Sequence, residues 1–319
     1  MLGYSEFNLL IFLYYKYAYM NFNIPQVTSN ILEEILILLQ TNGINTDEVG
    51  VFKDIAFKIA MIQNSKKPEL NKPTHFIVNS NSEEKSKAEL IHNFNGSNLL
   101  DIEVIRITEG NNMDETPISL DTYNYQLNCG SNHTLEAFKK GSNCISFGLT
   151  NTNTEYAASI ITSEITNNPI EDCIHYNSSI SKQEQESQTE KTLAKKAAHV
   201  PFTLIDIMCS YGEKDLICIV GGMLKAAELQ MIILIDNFIV SSALLYAYQL
   251  NEHIIDYCIF TNQSSHKGHQ IIIDYFEKKT ILNLEFETNI GLSIPISLPV
   301  LQSSITWLTS SINTQQPVI

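Results

Sequence analysis

The sequence predicts an α/β fold: a doubly wound, mainly parallel sheet with helices on both faces. Three observations carry that expectation. From Thr74 onward, apolar stretches of strand length alternate with stretches of helical period, the pattern of strands joined by crossover helices. Met231 to Ile235 is an unbroken apolar run rich in β-branching, as expected of a strand covered on both sides. Before that run, Leu224, Ala226 and Ala227 favour a helix beginning at Gly221-Gly222; after it, Asp236-Asn237 forms an acidic turn and Ser241-Ser242 opens another helix. In such sheets ligands gather beyond the carboxyl ends of the strands, which marks Asp236 as a place to look for a site.

Taken in order, residues 29–39 read as a helix capped by Ser29 or Asn30, with Glu33 and Glu34 favourably placed in its first turn. A polar turn follows at 43–50. Val51, Ile55, Ile59 and Ile62 recur at helical spacing, and Lys66-Lys67-Pro68 ends that helix. Residues 74–78 and 102–107 read as strands, with a helix expected at 88–94. Asn128 to Asn132 has the composition of a loop before a short helix at 134–140 that Gly141 ends. Residues 144–149 read as a strand, 150–154 as a turn rich in hydroxyls and amides, and 156–165 as a helix. Residues 177–190 contain one apolar residue, Ile180, and read as a mobile excursion before a helix at 191–199. Beyond the 221–247 unit, strands are expected at 254–260 and 282–286, and helices at 270–276 and 291–304, the last interrupted by two prolines.

Composition excludes some functions. The 319-residue chain carries 35 acidic and 20 basic residues, a net charge of −15, which disfavours binding nucleic acid or an anionic membrane through phosphates. Arg106 is the single arginine, so any phosphate site must use Lys, hydroxyls and backbone N–H groups. Cys129, Cys144, Cys173, Cys209, Cys218 and Cys258 are widely spaced, which argues against a disulfide scaffold or zinc site and for the cytoplasm. No metal and no cofactor are expected. Phe7 to Tyr19 is apolar but contains Lys16 and is short for a membrane span; Met20 suggests an over-extended start.

Four further features are read from the residues themselves. Ser264-Ser265 ahead of a helix near Gly268 suits either a phosphate or a plain cap. Asp236 suits ribose hydroxyls or helix capping. Thr152, Asn153 and Thr154 suit an anion or an ordinary turn. His266 and His269, with no third ligand, read as helix-surface histidines rather than a metal pair.

Several segments resemble the nicotinate-nucleotide–dimethylbenzimidazole phosphoribosyltransferase family. They are Gly212, Gly221 and Ala226-Ala227; Leu234-Ile235-Asp236-Asn237-Phe238; Thr261 through His269; and Phe286 to Pro299, in family order and spacing. Upstream, Asp54 to Gln63, Pro68, Leu70, Pro73 and Phe76 resemble the family's amino-terminal helix and first strand. Gly130-Ser131-Asn132 resembles a glycine-threonine loop, and Thr152-Asn153-Thr154 a Gly-Asn-Thr-Thr turn.

The resemblance implies transfer of phosphoribose from nicotinate mononucleotide to 5,6-dimethylbenzimidazole. It also implies a phosphate and ribose site at Thr152, Asn153, Thr154, Asp236, Ser264 and Ser265, and a base pocket at Leu149, Thr288, Asn289 and Ile290. A homodimer is expected. So is a small helical domain from residues 23–70 and 300–319 beside a large α/β domain of residues 71–299, with residues 1–22 as a leader or mis-started segment. The departures concern chemistry. Ile290 holds the position of the family's catalytic glutamate, and Gly148 that of a second carboxylate. The family's phosphate loop corresponds at best to Asn177-Ser178-Ser179, and its lysine to Lys191 or Lys195. Glu285 and Glu287 are expected on one face of the last strand, making Glu287 a substitute base. Catalysis is therefore expected to be impaired, or absent in a homologue that binds a nucleotide, an aromatic base or a partner subunit.

Overall fold

The computed structural model describes residues 22–79, 91, 93, 101–106, 117–150, 154–174, 181–198, 201 and 203–313, with 79, 102 and 104–106 by backbone alone. Residues 1–21 of the expected leader, Thr152, Asn153, Asn177 to Ser179 and most of the 88–94 helix lie outside the described residues. Five parallel strands form the main sheet: β1 (Thr74–Asn79), β2 (Asp101–Arg106), β3 (Cys144–Leu149), β4 (Ile232–Ile235) and β5 (Cys258–Phe260), in the order β2-β1-β3-β4-β5. That order is doubly wound and reverses direction between β1 and β3.

Register decides which residues share a face. Pairing of His75 with Ser146, Phe76 with Phe147 and Ile77 with Gly148 puts Phe76 and Phe147 on one side, with ring centroids 5.5 Å apart. His75, Ser146, Ile77 and Gly148 lie on the other. Helix α8 (Lys214–Glu228) packs on β1, β3 and β4, and α3 (Leu120–Lys139) crosses α8. The crossing is close because of glycines: a Cβ on Gly130 would lie 1.8 Å from the Cys218 carbonyl oxygen, and one on Gly221 2.0 Å from that of Leu127. Helix α9 (Phe238–Leu250) packs against α8 and against α4 (Thr154–Thr166). All of Met231 to Ile235 is buried, and each such aliphatic side chain contributes roughly 1.5–3 kcal/mol.

A second apolar cluster joins the two ends of the described chain. Ile31, Ile35 and Leu39 of α1 (Asn30–Thr41), Ala56, Phe57 and Ala60 of α2 (Val51–Ile62) and Leu308 of α11 (Ser293–Asn313) pack together. The other stripe of α2, Ile55, Ile59 and Ile62, enters the main core. Helix α11 runs through Pro299 rather than breaking there. An internal proline costs roughly 3 kcal/mol, and burial of Leu298, Leu301, Ile305 and Leu308 offsets it.

Other expectations are corrected. Residues 128–132 are the middle of α3, because burial of Gly130 and Ser131 against α8 overrides their turn composition. Residues 182–190 open α6 (Lys182–Ala197) instead of forming an excursion, since Ser181 and Glu184 make a reciprocal capping box. Helix α8 begins at Lys214, leaving Gly221-Gly222 at its centre, and α9 begins at Phe238 under the cap of Asn237. The stretch before β5 is a 3-10 helix, Glu252–Tyr257, started by Asn251. The expected strand at 282–286 shortens to β7 (Leu282–Asn283), which pairs with β6 (Asn262–Gln263) outside the main sheet. Glu285 then adopts a φ of 51° and ends the ladder, so strand alternation does not relate Glu285 to Glu287. No helix among the described residues is long and apolar enough to cross a membrane.

Candidate active site

The carboxyl ends of β3, β4 and β5 lead into three helices, and the segment 286–292 runs across them. Its anchor is the Asn289 carbonyl, which accepts the Leu149 N–H at 2.8 Å and the Asn237 side-chain amide at 3.4 Å. One residue on, the Ile290 carbonyl accepts Nε2–H of His75 at 2.9 Å, and Ser146 Oγ lies 2.7 Å from the other ring nitrogen. Burial lowers the His75 pKa to about 4, so the imidazole is neutral and acts as a fixed strut. The sequence reading passed over His75; its signal was a buried, ionisable ring near the start of an otherwise mainly apolar strand. The passage is tight. A Cβ on Gly291, whose φ is 89°, would meet the His75 ring at 2.4 Å, and one on Gly148 would meet the Ile290 carbonyl oxygen at 2.4 Å.

Those contacts place Gly148 directly against the backbone of Ile290. The Ile290 side chain is 2% exposed and packs in a small cluster with Ile77, Ile91 and Leu292. The two positions at which the resemblance expects carboxylates therefore touch, and both are filled by packing.

Asp236, at the end of β4, is buried, and its oxygens accept from the Asn237 amide at 2.6 Å and the Ser293 hydroxyl at 3.3 Å. Capping of α9 falls to Asn237, whose Oδ1 accepts the Val240 N–H at 3.0 Å. Burial raises the Asp236 pKa to about 7 against these opposing hydrogen bonds. Between its ordinary value of 3.8 and about 7, the unfolded chain has lost a proton that the folded chain retains, so stability falls as pH rises through that window. Asp236→Asn is expected to flatten the dependence of the urea midpoint on pH between about 4 and 7. An unchanged pH profile would refute this assignment.

The hydroxyl-bearing residues gather at two helix starts. Thr154 begins α4 fully buried, with its Oγ1 lacking a hydrogen-bond partner. Ser264 and Ser265 precede α10 (Lys267–Tyr275); the Ser265 Oγ is likewise buried and unpartnered, while Ser264 Oγ lies 2.8 Å from Nδ1 of His269. His266 and His269 are buried rather than on a helix surface. His266 caps α10 by accepting the Gly268 N–H at 3.0 Å and stacks on Phe238, whereas His269 points inward to Ser264. Burial pushes the His269 pKa down to about 3. Among the described residues no three His, Cys, Asp or Glu side chains are grouped to hold a metal.

One carboxylate was missed. Glu155, in the first turn of α4, lies beside the Asn289 side chain and 4.0 Å from Nε2 of His266, and is about one-third exposed. Its signal was modest: an acidic residue right after the Thr-Asn-Thr turn. Glu287 is exposed but near enough to Glu155 to raise its pKa. Of the two candidate lysines, Lys195 is ion-paired with Glu213 at 3.2 Å and Lys191 is exposed.

The sheet is doubly wound, and two helix starts beyond its carboxyl edge, where α/β proteins of this class hold their ligands, carry buried hydroxyls without hydrogen-bond partners. Residues 86–317 match the family model described as Phosphoribosyltransferase, and the chain belongs to that family. Nicotinate-nucleotide–dimethylbenzimidazole phosphoribosyltransferase of Parabacteroides distasonis is 24% identical over 315 residues, covering 85% of this chain and 90% of its own. The enzyme of that name from Phocaeicola vulgatus is 23% identical over 334 residues, covering 92% and 96%. The crystal structure of CobT from Thermus thermophilus shares the fold, with a TM-score of 0.75 at 14% identity over 86% of this chain and 96% of its own.

Proposed function

We propose that the chain transfers phosphoribose from nicotinate mononucleotide to 5,6-dimethylbenzimidazole, giving α-ribazole phosphate and nicotinate, the lower-ligand nucleotide step of cobalamin synthesis. The observation that carries this is the family match over residues 86–317, joined to the buried free hydroxyls of Thr154 and Ser265. In this reading Thr152, Asn153, Thr154, Ser264 and Ser265 take the phosphate and ribose, with Asp236 orienting the edge through Asn237 and Ser293. Leu149, Thr288, Asn289 and Ile290 form the base side. Turnover is expected to be slower than in relatives that keep the glutamate. A homodimer in the cytoplasm belongs to the same reading, and light scattering of the purified protein tests the dimer.

The contact between Gly148 and Ile290 favours a second reading, a non-catalytic homologue that keeps the nucleotide or base pocket. Incubating purified protein with nicotinate mononucleotide and 5,6-dimethylbenzimidazole, and following nicotinate by chromatography, separates the two. Released nicotinate supports the transferase. Calorimetric binding without release supports the homologue, and absence of both defeats both.

A further inference from the structure

Transfer of phosphoribose to an azole has a definite proton balance. A ring nitrogen of the azole donates its electron pair to C1′ as the bond from C1′ to nicotinate nitrogen breaks, and that bond's pair returns to the pyridine ring. The alkylated azole must then lose its remaining N–H proton to a base, which passes it to solvent.

Several of the described titratable groups lie around the edge. His75 has both ring nitrogens engaged, by Ser146 and the Ile290 carbonyl, beneath the segment rather than above it. His269 is fully buried and turned to Ser264. Both oxygens of Asp236 are engaged by Asn237 and Ser293. Glu287 stands on the exposed side of the 284–290 stretch. Glu155 differs from all of these. It is partly open, lies beside the Asn289 side chain next to the packed Ile290, and sits one residue beyond Thr154, the start of α4.

Resting on the transferase reading, we propose that Glu155 is the group that accepts the azole proton, a carboxylate delivered by α4 to the place that Ile290 leaves without one. Its partial enclosure disfavours the charged form, which strengthens it as a base. The charged and titratable groups facing it are His266 at the start of α10, Glu287 on the crossing segment and the neighbouring Tyr156. Burial, with Glu287 adding, raises the Glu155 pKa, so the acid limb of activity is displaced upward from the ordinary glutamate position.

The test uses the full-length protein with Glu155→Gln and Glu155→Asp, each read by nicotinate release against pH and by calorimetry with nicotinate mononucleotide and dimethylbenzimidazole. Glu155→Gln is expected to slow release by roughly 10²–10⁴-fold. It should also erase the acid limb and leave both affinities within about twofold of wild type, while Glu155→Asp retains the limb at a reduced rate. Release by Glu155→Gln within about threefold of an active wild type overturns the assignment and leaves the transferase reading standing. A wild type that binds both ligands but releases nothing overturns it too, and favours the non-catalytic homologue. A wild type that binds neither ligand removes the reading on which the assignment rests.

Discussion

Gly130→Ala is expected to destabilise the protein by about 3 kcal/mol or more, although the same change in an isolated helix stabilises by roughly 1 kcal/mol. The sign reverses because of what faces Gly130. An added methyl would sit 1.8 Å from the Cys218 carbonyl oxygen and 2.8 Å from the Gly222 amide nitrogen, both backbone atoms of α8. No side chain can rotate to make room, so α3 and α8 would have to separate. That separation would also disturb Phe147, whose ring lies where a Cβ on Gly222 would stand, and hence the central strand β3. Gly221→Ala, which meets the Leu127 carbonyl from the other side, should have a similar effect, and urea midpoints measure both. A midpoint raised by either substitution would mean that the two helices do not cross at these glycines.

Much of the fold was legible because it depends on local pattern. Met231 to Ile235, an apolar run rich in β-branching, reads as a covered strand, and β4 (Ile232–Ile235) forms there; the alternation of elements after Thr74 points to a parallel sheet. What escaped was set by distant partners. Asn-Cys-Gly-Ser-Asn has turn composition, and only the approach of α8 explains its place inside a 20-residue helix. In contrast, Ser181 to Glu184 spelled a capping box in plain sequence and was overlooked beneath a polar composition.

The site divides in the same way. That Asp236 ends a strand at the ligand-binding edge was readable, but that Asn237 does the capping depends on side-chain geometry at 3.0 Å. His266 and His269 looked like surface residues because their neighbours Lys267 and Gln270 are polar; Phe238 and Ser264, which bury them, come from elsewhere in the chain or before the helix. Glu155 could not be ranked above Glu287 from sequence, because its distinction is the contact with Asn289, well over a hundred residues away.

Ile290→Glu, which restores the family's residue at this position, is expected to lower stability by several kcal/mol at pH 8 and to give no gain in nicotinate release. The new carboxylate would take the place of a side chain enclosed by Ile77, Ile91 and Leu292, above a sheet face where His75 already donates to the Ile290 carbonyl. None of these apolar neighbours offers a hydrogen bond, so burial would raise its pKa and favour the neutral acid. The linkage sign follows: the folded state holds the proton to higher pH than the unfolded state. The penalty is therefore smallest below the ordinary glutamate range and grows as pH rises through the raised value. Unfolding midpoints at pH 5 and pH 8 should diverge for Ile290→Glu by more than for wild type. Gly148→Ala, which presses the same carbonyl from below, should also destabilise, but without added pH dependence, since it introduces no titrating group. If Ile290→Glu instead folded as well as wild type and accelerated nicotinate release, position 290 would be an open catalytic position after all, and Glu155 would lose its claim to the proton.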